Sequence, residues 1–200
     1  MLLIIQCKEG KENKMASVHA LQTAVKRKDF GLFSLLLEQE GVDVNQADKD
    51  GFTPLIYAAA RGEKEMVEAL INKGADLDKA NLNGDGPLMW AILYNYQTIA
   101  SMLVKAGADL NKQNIQGETP LMAAAFKGDG ALAYLMIEKG ANPSLLDKKK
   151  ETAADKAFKR GYRFIAERLN QEILNQKQKE CQKKNFLKAT ICLGRAKDGR

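Results

Sequence analysis

The apolar residues of this chain recur in short runs, separated by polar segments that contain glycine. In one run, Met66, Val67, Leu70 and Ile71 are spaced by three and four residues, which places them on one face of a helix. Equivalent runs follow at a constant interval, at Ile99, Leu103 and Val104 and then at Leu132, Leu135 and Met136. The pattern predicts a series of short amphipathic helices, each with one buried face.

A second series of short helices is predicted from its own start and stop signals. Thr53-Pro54-Leu55 recurs at the same interval as Gly86-Pro87-Leu88 and Thr119-Pro120-Leu121. Threonine is a good N-cap, and proline suits the first helical position. Glycine or asparagine then ends each helix, because the residue after a helix often adopts the left-handed conformation. The start positions are Thr53, Gly86, Thr119 and Thr152, and the end positions are Gly62, Asn95, Gly128 and Gly161.

Each repeating unit is therefore predicted to be a pair of helices followed by a turn. A third recurring signal, Gly74-Ala75-Asp76, marks the end of the second helix. Isolated helices shorter than about 12–15 residues barely form in water. The units must consequently be stabilised by stacking on their neighbours, as in a solenoid.

At these residues the sequence resembles the ankyrin repeat family, whose unit of about 33 residues opens its first helix at TPLHxAAxxG and ends its second at LLxxGAD. Segments 51–78, 84–111 and 117–142 match this pattern, although Gly86 replaces the threonine cap. The resemblance implies an all-α ankyrin-repeat solenoid of helix-turn-helix units with hairpin-like finger loops. Ile56, Met89 and Met122 stand where the family has histidine.

We expect three full repeats between an N-terminal and a C-terminal capping repeat. Terminal repeats have no outer neighbour and need a polar outer face, which Arg168 and Asn170 supply in the last unit. There Lys150 also replaces the turn glycine. The predicted domain spans residues 16–170, with a lead-in and linker over 1–15 and a basic tail over 171–200. The repeats are expected at about 16–48, 49–81, 82–114, 115–147 and 148–170.

The resemblance implies a scaffold that binds another protein, because the family recognises its partners with the concave face and the finger tips. We therefore expect a non-enzymatic adaptor or inhibitor that is monomeric and takes no small-molecule substrate. The candidate partner-binding residues lie in the fingers and on the exposed side of the first helices. They are Phe52, Tyr57, Arg61, Asp85, Trp90, Leu93, Tyr94, Glu118, Phe126, Lys127, Lys159 and Arg160.

Aromatic residues make up only 6% of the chain, yet several fall on this surface. Trp90 and Tyr94 are four residues apart and share one helix face, and we expect Tyr57 and Phe126 to flank them. Aromatic residues at the centre of a surface with basic residues at its edge are typical of an interaction hot spot. The alternative is that Trp90 and Phe126 fill gaps that the small alanines leave between helices.

No feature of the sequence indicates enzyme chemistry. The single histidine, His19, falls at a predicted helix start without a serine or cysteine arrangement around it. Cys7, Cys181 and Cys192 lie near the two ends and lack CxxC spacing. We therefore expect no catalytic residue, no cofactor, no metal site and no disulfide framework.

The composition is that of a folded, soluble protein, with 45% hydrophobic and 28% charged residues. No run approaches the roughly 18 apolar residues that a membrane span needs. The leading MLLIIQC is too short for a signal peptide, whose apolar core has about 7–15 residues. With an odd number of cysteines, these features predict a cytoplasmic protein. One variant is a bacterial effector delivered into the cytoplasm or nucleus of a host cell.

The tail differs from the repeats in its charge. Residues 171–200 contain eight basic and three acidic residues and carry +5 of the net charge of +6. An alternative function is therefore a protein directed to nucleic acid or to an acidic membrane by its basic tail. We expect the last helix to continue to about Lys184, with residues 186–193 forming a short packing segment or a linear motif.

Two asparagines at the finger bases have a candidate role of their own. Asn45 and Asn111 lie in the triplets DVN and DLN, each eight residues after a leucine. They resemble the ankyrin asparagines that animal cells hydroxylate. The alternative is a hydrogen bond that supports the finger loop.

Overall fold

A computed structural model describes the backbone of residues 12–197 and the side chains of residues 20–183. In this part of the chain all regular secondary structure is helical. The helices form five successive pairs, one for each predicted repeat. They are α1 (Glu12–Arg27), α2 (Phe30–Leu37), α3 (Pro54–Arg61), α4 (Lys64–Asn72), α5 (Pro87–Leu93), α6 (Gln97–Ala106), α7 (Pro120–Lys127), α8 (Gly130–Glu138), α9 (Ala153–Lys159) and α10 (Arg163–Lys197).

The first helices begin where the sequence predicts. Thr53 and Thr119 accept hydrogen bonds from the third residue of their helices at 3.1 and 3.3 Å, with proline at the first helical position. Thr152 forms a capping box with Asp155. Gly86 supplies no side-chain cap, but α5 still begins at the equivalent position. Equivalent helices therefore start at each repeat, and α1, α3, α5, α7 and α9 pack side by side in that order.

The predicted left-handed residues end these helices. Gly62, Asn95, Gly128 and Gly161 have φ angles of 79°, 64°, 79° and 86°. At Gly62 the conformation is not the only constraint, because an added Cβ would overlap the ring of Tyr96 in the next repeat. The glycine therefore serves both the turn and the contact between repeats.

The core lies between the layer of first helices and the layer of second helices. The first helices contribute small residues as well as larger ones, which lets neighbouring helices approach closely. The second helices contribute the apolar face read from the sequence. Its fully buried members include Met66, Leu70, Ile99, Leu103 and Met136. Since α4 packs on α6 and α6 on α8, this core runs unbroken through the stack.

The fingers are tight turns that hydrogen-bond to one another. The backbone N–H of Leu82 donates to the carbonyl of Asp50 at 3.1 Å, and Ile115 donates to Asn83 at 2.9 Å in the next pair of fingers. In the following pair of fingers the backbone N–H of Lys148 donates to the carbonyl of Gln116 at 2.9 Å. These bonds add a second line of contact between repeats, along the edge formed by the finger tips.

The structure corrects the predicted boundaries at both ends. Helix α1 begins at Glu12, so the linker predicted to reach residue 15 ends earlier, and residues 1–11 lie outside the described part. His19 lies inside α1 rather than at its start, with its side chain outside the described residues. Helix α10 continues to Lys197, beyond the predicted end near Lys184. The segment 186–193 therefore belongs to this helix, although its side chains are not described. No described helix has the length and apolar character that a membrane crossing requires.

Candidate partner-binding surface

Two grooves lie side by side along the first helices. The first has a volume of about 480 Å³ and is formed mainly by the repeats that contain α3 and α5. Its lining is rich in aromatic side chains with basic groups at the margin. The lining residues are Lys28, Phe52, Tyr57, Ala60, Arg61, Trp90, Tyr94 and Tyr96.

Four aromatic rings form a continuous series in this first groove. Phe52 lies 5.1 Å from Tyr57 and 5.3 Å from Trp90, measured between ring centroids. Trp90 in turn stacks on Tyr94 at 5.7 Å, with an interplanar angle of 16°. Such pairs add to the stability gained from area burial alone. Since Tyr94 is 56% exposed, the series is open to solvent at one end.

Trp90 contributes to packing as well as to the surface. Its side chain is half-buried, and its Nε1–H is fully buried with no acceptor among the described residues. One edge of the indole therefore packs inside the stack while the ring contacts Phe52 and Tyr94. The packing interpretation and the binding interpretation of this residue both have a structural basis.

Tyr57 is held in place by a carboxylate from the finger below it. Its hydroxyl donates to Oδ2 of Asp48 at 2.6 Å, and the ammonium of Lys26 lies 4.1 Å from the Tyr57 ring centroid. Burial and this hydrogen bond raise the pKa of Tyr57 above its ordinary value of 10. For Asp48, burial alone raises the pKa, but hydrogen bonds from Tyr57 and two backbone N–H groups outweigh it and lower the pKa overall.

The second groove has a volume of about 460 Å³ and lies between α5, α7 and α9. Its apolar side is formed by Leu93, Met122, Ala123 and Phe126. The guanidinium of Arg160 lies over the Phe126 ring, 4.7 Å from its centroid. The charged lining residues are Glu118, Lys149, Glu151, Lys156 and Lys159.

A buried lysine organises the charged side of the second groove. The ammonium of Lys156 lies 2.8 Å from Asp147 and 2.8 Å from Glu118. Burial by itself lowers the pKa of Lys156, but these two carboxylates outweigh it and raise the pKa. The pKa of Asp147 is lowered, because the hydrogen bonds and charge of Lys156 outweigh the effect of burial. Both groups are therefore charged at neutral pH, and Lys156 is not poised to act as a base.

The structure divides the predicted site residues between the two grooves. Phe126 was expected to flank Trp90 and Tyr94, but it lines the second groove, apart from the ring series. Asp85 lies between fingers and accepts a 2.9 Å hydrogen bond from Asn114 Nδ2, and Lys127 is exposed without lining either groove. Phe52, Tyr57, Arg61, Trp90 and Tyr94 line the first groove; Leu93, Glu118, Phe126 and Lys159 line the second, with Arg160 above Phe126.

Sequence reasoning missed the residues that support the grooves from the fingers. Each finger has one aspartate or asparagine whose Oδ1 accepts from the backbone N–H groups two and four residues later. These side chains fix the finger turns, and two of them also bind groove residues. These residues recur at the repeat period, so a search for aspartate or asparagine at that period would have found them. They are Asp48, Asn81, Asn114 and Asp147.

Gln22 is a second residue that the sequence reasoning missed. It is 2% exposed and donates from Nε2 to the carbonyls of Gln46 at 3.2 Å and Phe52 at 2.9 Å. Because the first repeat is slightly longer than the others, Gln22 aligns with Ile56, one of the apolar residues found at the histidine position of the motif. In the first repeat a glutamine therefore links the first helix to the following finger.

Asn45 and Asn111 take part in hydrogen bonds between repeats. Oδ1 of Asn45 accepts from the backbone N–H of Asp76 at 2.7 Å, and Oδ1 of Asn111 accepts from that of Asn142 at 2.7 Å. Asp78 makes the equivalent bond in between. The predicted finger-loop role is thus confirmed, with the addition that these bonds connect successive repeats.

The grooves offer apolar contact, aromatic stacking and ion pairing. Within the described part of the chain, no group of three or more histidine, cysteine, aspartate or glutamate side chains is arranged to hold a metal ion. Apolar, aromatic and ionic groups of this kind also occur together in protein–protein interfaces.

Comparison with known proteins agrees with the repeat architecture. A family model described as three copies of ankyrin repeats matches residues 21–114, and a model of a single ankyrin repeat matches residues 116–148. Alpha-latrotoxin-Lhe1a of Latrodectus hesperus is 39% identical over 75 residues, which cover 36% of this chain and 5% of the toxin. Alpha-latrotoxin-Lg1a of Latrodectus geometricus is 43% identical over 53 residues, 26% of this chain and 4% of the toxin.

The similarity to these toxins is confined to the repeats. The chain spans about a twentieth of the length of the relatives that it matches, so the similarity describes a shared type of repeat. The two family models together cover more than half of the chain, and they fall on the first four helix pairs of the structure. The chain therefore belongs to the ankyrin repeat family, whose repeats generally mediate protein–protein interactions.

Proposed function

We propose that this protein is a non-enzymatic adaptor or inhibitor that binds a partner protein through its two grooves and finger loops. The observation that carries the proposal is the series of four aromatic rings that runs from Tyr57 through Phe52 and Trp90 to Tyr94. The rings are adjacent, they belong to two repeats, and they end at an exposed tyrosine.

Physical considerations favour a binding role for these rings. Interaction hot spots are enriched in tryptophan, tyrosine and arginine, and Arg61 lies at the margin of the same groove. Exposed contiguous apolar patches on soluble proteins mark interaction sites more often than chance. A partner that covers Tyr94 and the open face of Trp90 would bury apolar area without disturbing the stack beneath.

The test is a pull-down from cell extract, with partners identified by mass spectrometry, followed by binding measurements on the purified partner. The variant Trp90→Ala/Tyr94→Ala should lose binding and keep its helix content, with a modest drop in melting temperature because one edge of Trp90 packs inside the stack. Phe164→Ala is the matched control, because Phe164 is 68% exposed on α10 and lines neither groove. A large drop in melting temperature of the double variant would favour the packing interpretation instead.

The part of the basic tail whose side chains are described gives the alternative function little support. Lys177, Lys179 and Lys183 are exposed on α10. At 100° per residue, however, Lys177 points away from the other two around the helix axis, so the three do not form one basic face. Replacing all three with glutamine should leave protein binding intact. If it abolished binding, and if binding fell steeply with salt, the tail-directed function would be preferred.

We also propose that the protein acts in a reducing compartment, most simply the cytoplasm. The support is the odd number of cysteines, without the spacing of a disulfide framework. Expression of a fluorescent fusion would test it, and retention in the secretory pathway would contradict it.

A further inference from the structure

A basic residue lies at or just after the end of four of the five first helices. Each first helix is followed by a residue with a left-handed backbone conformation, and the position of interest is the residue just before it. All five of these preceding residues are exposed, and four of them are basic. They are Arg27, Arg61, Tyr94, Lys127 and Arg160, and we call them the basic stripe.

The basic stripe borders both grooves. Arg61 and Tyr94 line the first groove, and Arg160 covers Phe126 in the second. Leu93 lines the second groove and is the direct neighbour of Tyr94 in the chain. The end of α5 is therefore the ridge between the grooves, and a segment that crosses it meets both grooves and the stripe.

The carboxylates at this edge are engaged within the stack. Asp29 and Asp129 accept from backbone N–H groups of their own helices at 2.9 and 3.0 Å. Glu63 pairs with Lys28 at 2.7 Å. Glu118 and Glu151 in the second groove pair with lysines. These interactions partly neutralise the carboxylates, which leaves the exposed cations of the stripe to face an approaching partner.

A purely structural explanation of the basic stripe exists and must be separated from a binding role. Cations in the last turn of a helix interact favourably with the helix dipole, whatever the protein binds. This effect accounts for basic residues at the ends of helices. It does not account for the position of the stripe beside two grooves that each have an apolar or aromatic wall, and it predicts no preference for any partner.

Building on the proposed function, we propose that the two grooves and the basic stripe bind one extended, acidic segment of a partner protein. Apolar side chains of the segment occupy the grooves, and its carboxylates face the stripe. Neighbouring helices lie about 8–10 Å apart, and an extended chain advances about 3.3 Å per residue. Acidic residues spaced about three apart therefore match successive positions of the stripe.

The charge balance of the repeats favours a protein segment over nucleic acid. Residues 16–170 contain 20 basic and 20 acidic residues, whereas nucleic-acid-binding domains usually carry a clear basic excess. The grooves between the cations also have apolar or aromatic walls, with side chains such as Leu93, Met122 and Phe126. A polyanion would contact the cations and leave these apolar surfaces unused.

The test is selection of a display library of random 16-residue peptides on the full-length protein. Wild type should enrich peptides that combine apolar residues with an excess of aspartate and glutamate over the starting library. Arg61→Gln/Arg160→Gln should bind the best peptide at least tenfold more weakly, with only a small loss of thermal stability from the lost cation–π contact and helix-end charges. Lys105→Gln/Lys139→Gln is the matched control, because it removes the same charge from exposed lysines in the layer of second helices. It should leave the dissociation constant unchanged.

Three results would overturn the inference, and they differ in what they say about the proposed function. Selected peptides without acidic excess that still depend on Trp90 and Tyr94 would refute the acidic partner and leave the proposed function standing. Tighter binding of a 20-nucleotide single-stranded DNA, lost in Arg61→Gln/Arg160→Gln, would make the stripe a nucleic-acid site. Enrichment no greater than on Trp90→Ala/Tyr94→Ala would refute binding of an extended segment, and the pull-down would then decide the proposed function separately.

Discussion

The hydroxyl of Tyr57 donates a 2.6 Å hydrogen bond to Asp48, the aspartate that closes the finger turn nine residues before it. The same relationship recurs three repeats later, where the ammonium of Lys156 lies 2.8 Å from Asp147. In both pairs one carboxylate oxygen fixes the finger and the other binds a side chain from the first helix.

In the two intervening repeats the residue that fixes the finger is a neutral asparagine. Asn81 and Asn114 fix their fingers through Oδ1, as the aspartates do. Nine residues later stand Trp90 and Ala123, and neither is a cation or a hydroxyl. A carboxylate is thus present where the first helix supplies a hydroxyl or a cation for it, and an amide is present in the other two repeats. Within each repeat, the residue type at the finger position therefore depends on the residue nine positions later in the first helix.

The buried pair of the last repeat allows a direct test of this matching. Lys156→Ala leaves the carboxylate of Asp147, whose side chain is 3% exposed, without its cation. We expect a loss of about 3 kcal/mol in the free energy of unfolding, as for other broken buried pairs. Lys156→Ala/Asp147→Asn should recover most of this loss, because it recreates the Asn114 and Ala123 combination. Urea unfolding of wild type, the single variant and the double variant measures these free energies. Equal stability of the single and double variants would contradict the rule.

The same pair has a defined pH dependence. The lowered pKa of Asp147 contributes stability above its ordinary value of 3.8, and this contribution is lost as the pH falls through the lowered pKa. The raised pKa of Lys156 contributes below its ordinary value of 10.5 and is lost at higher pH. Wild type should therefore lose more stability than Lys156→Ala/Asp147→Asn between pH 7 and pH 3. Parallel curves for the two proteins would show that the pair contributes nothing.

The sequence predicted the fold because each feature of the repeat has a local cause. Thr53 caps a helix, Gly62 takes a left-handed turn, and Leu70 faces inward because of its spacing. These effects act within a few residues. The grooves depend instead on contacts across repeats, such as Phe52 on Trp90 and Lys156 on Glu118. Spacing along one helix does not show them, which is why Phe126 was grouped with the wrong aromatic residues.

Tyr57→Phe should cost about 1.5–3 kcal/mol of stability, because it removes one hydrogen bond to a carboxylate and keeps the ring. Tyr94→Phe is the control, since Tyr94 is largely exposed. The phenol absorbance of wild type and of Tyr57→Phe can be titrated at alkaline pH. The difference between the two curves reports Tyr57, and its midpoint should lie above 10, the ordinary pKa of tyrosine. Because that pKa is raised by folding, the stabilising contribution of Tyr57 is present below pH 10 and is lost as the pH rises beyond it. A midpoint at 10 would refute the prediction.

The finger tips provide a matched pair of backbone substitutions. At Gly84 φ is 79°, and an added Cβ would lie 2.9 Å from the Cα of Asn114 in the next finger. Lys150 occupies the equivalent place at φ 62°, in a finger on which no other finger packs within the described residues. Gly84→Ala should therefore lower stability by more than about 1 kcal/mol, whereas Lys150→Gly should raise it by roughly 0.5 to 1 kcal/mol. Thermal melts of both variants measure these changes in stability. An unchanged melting temperature for Gly84→Ala would show that the fingers adjust freely.

Asn111 should couple the fourth repeat to the third. Its Oδ1 accepts from the backbone N–H of Asn142, and Asp109 in the same loop accepts from the N–H of Asn111 itself. Asn111→Ala removes the link between repeats and should cost about 1 kcal/mol. Because the stability of a solenoid is roughly a sum of unit and interface terms, the loss should appear as faster hydrogen exchange in α8 to α10. Asn72→Ala, at the end of α4, is the control. Uniform acceleration across all repeats would instead mean that the stack unfolds as a single unit.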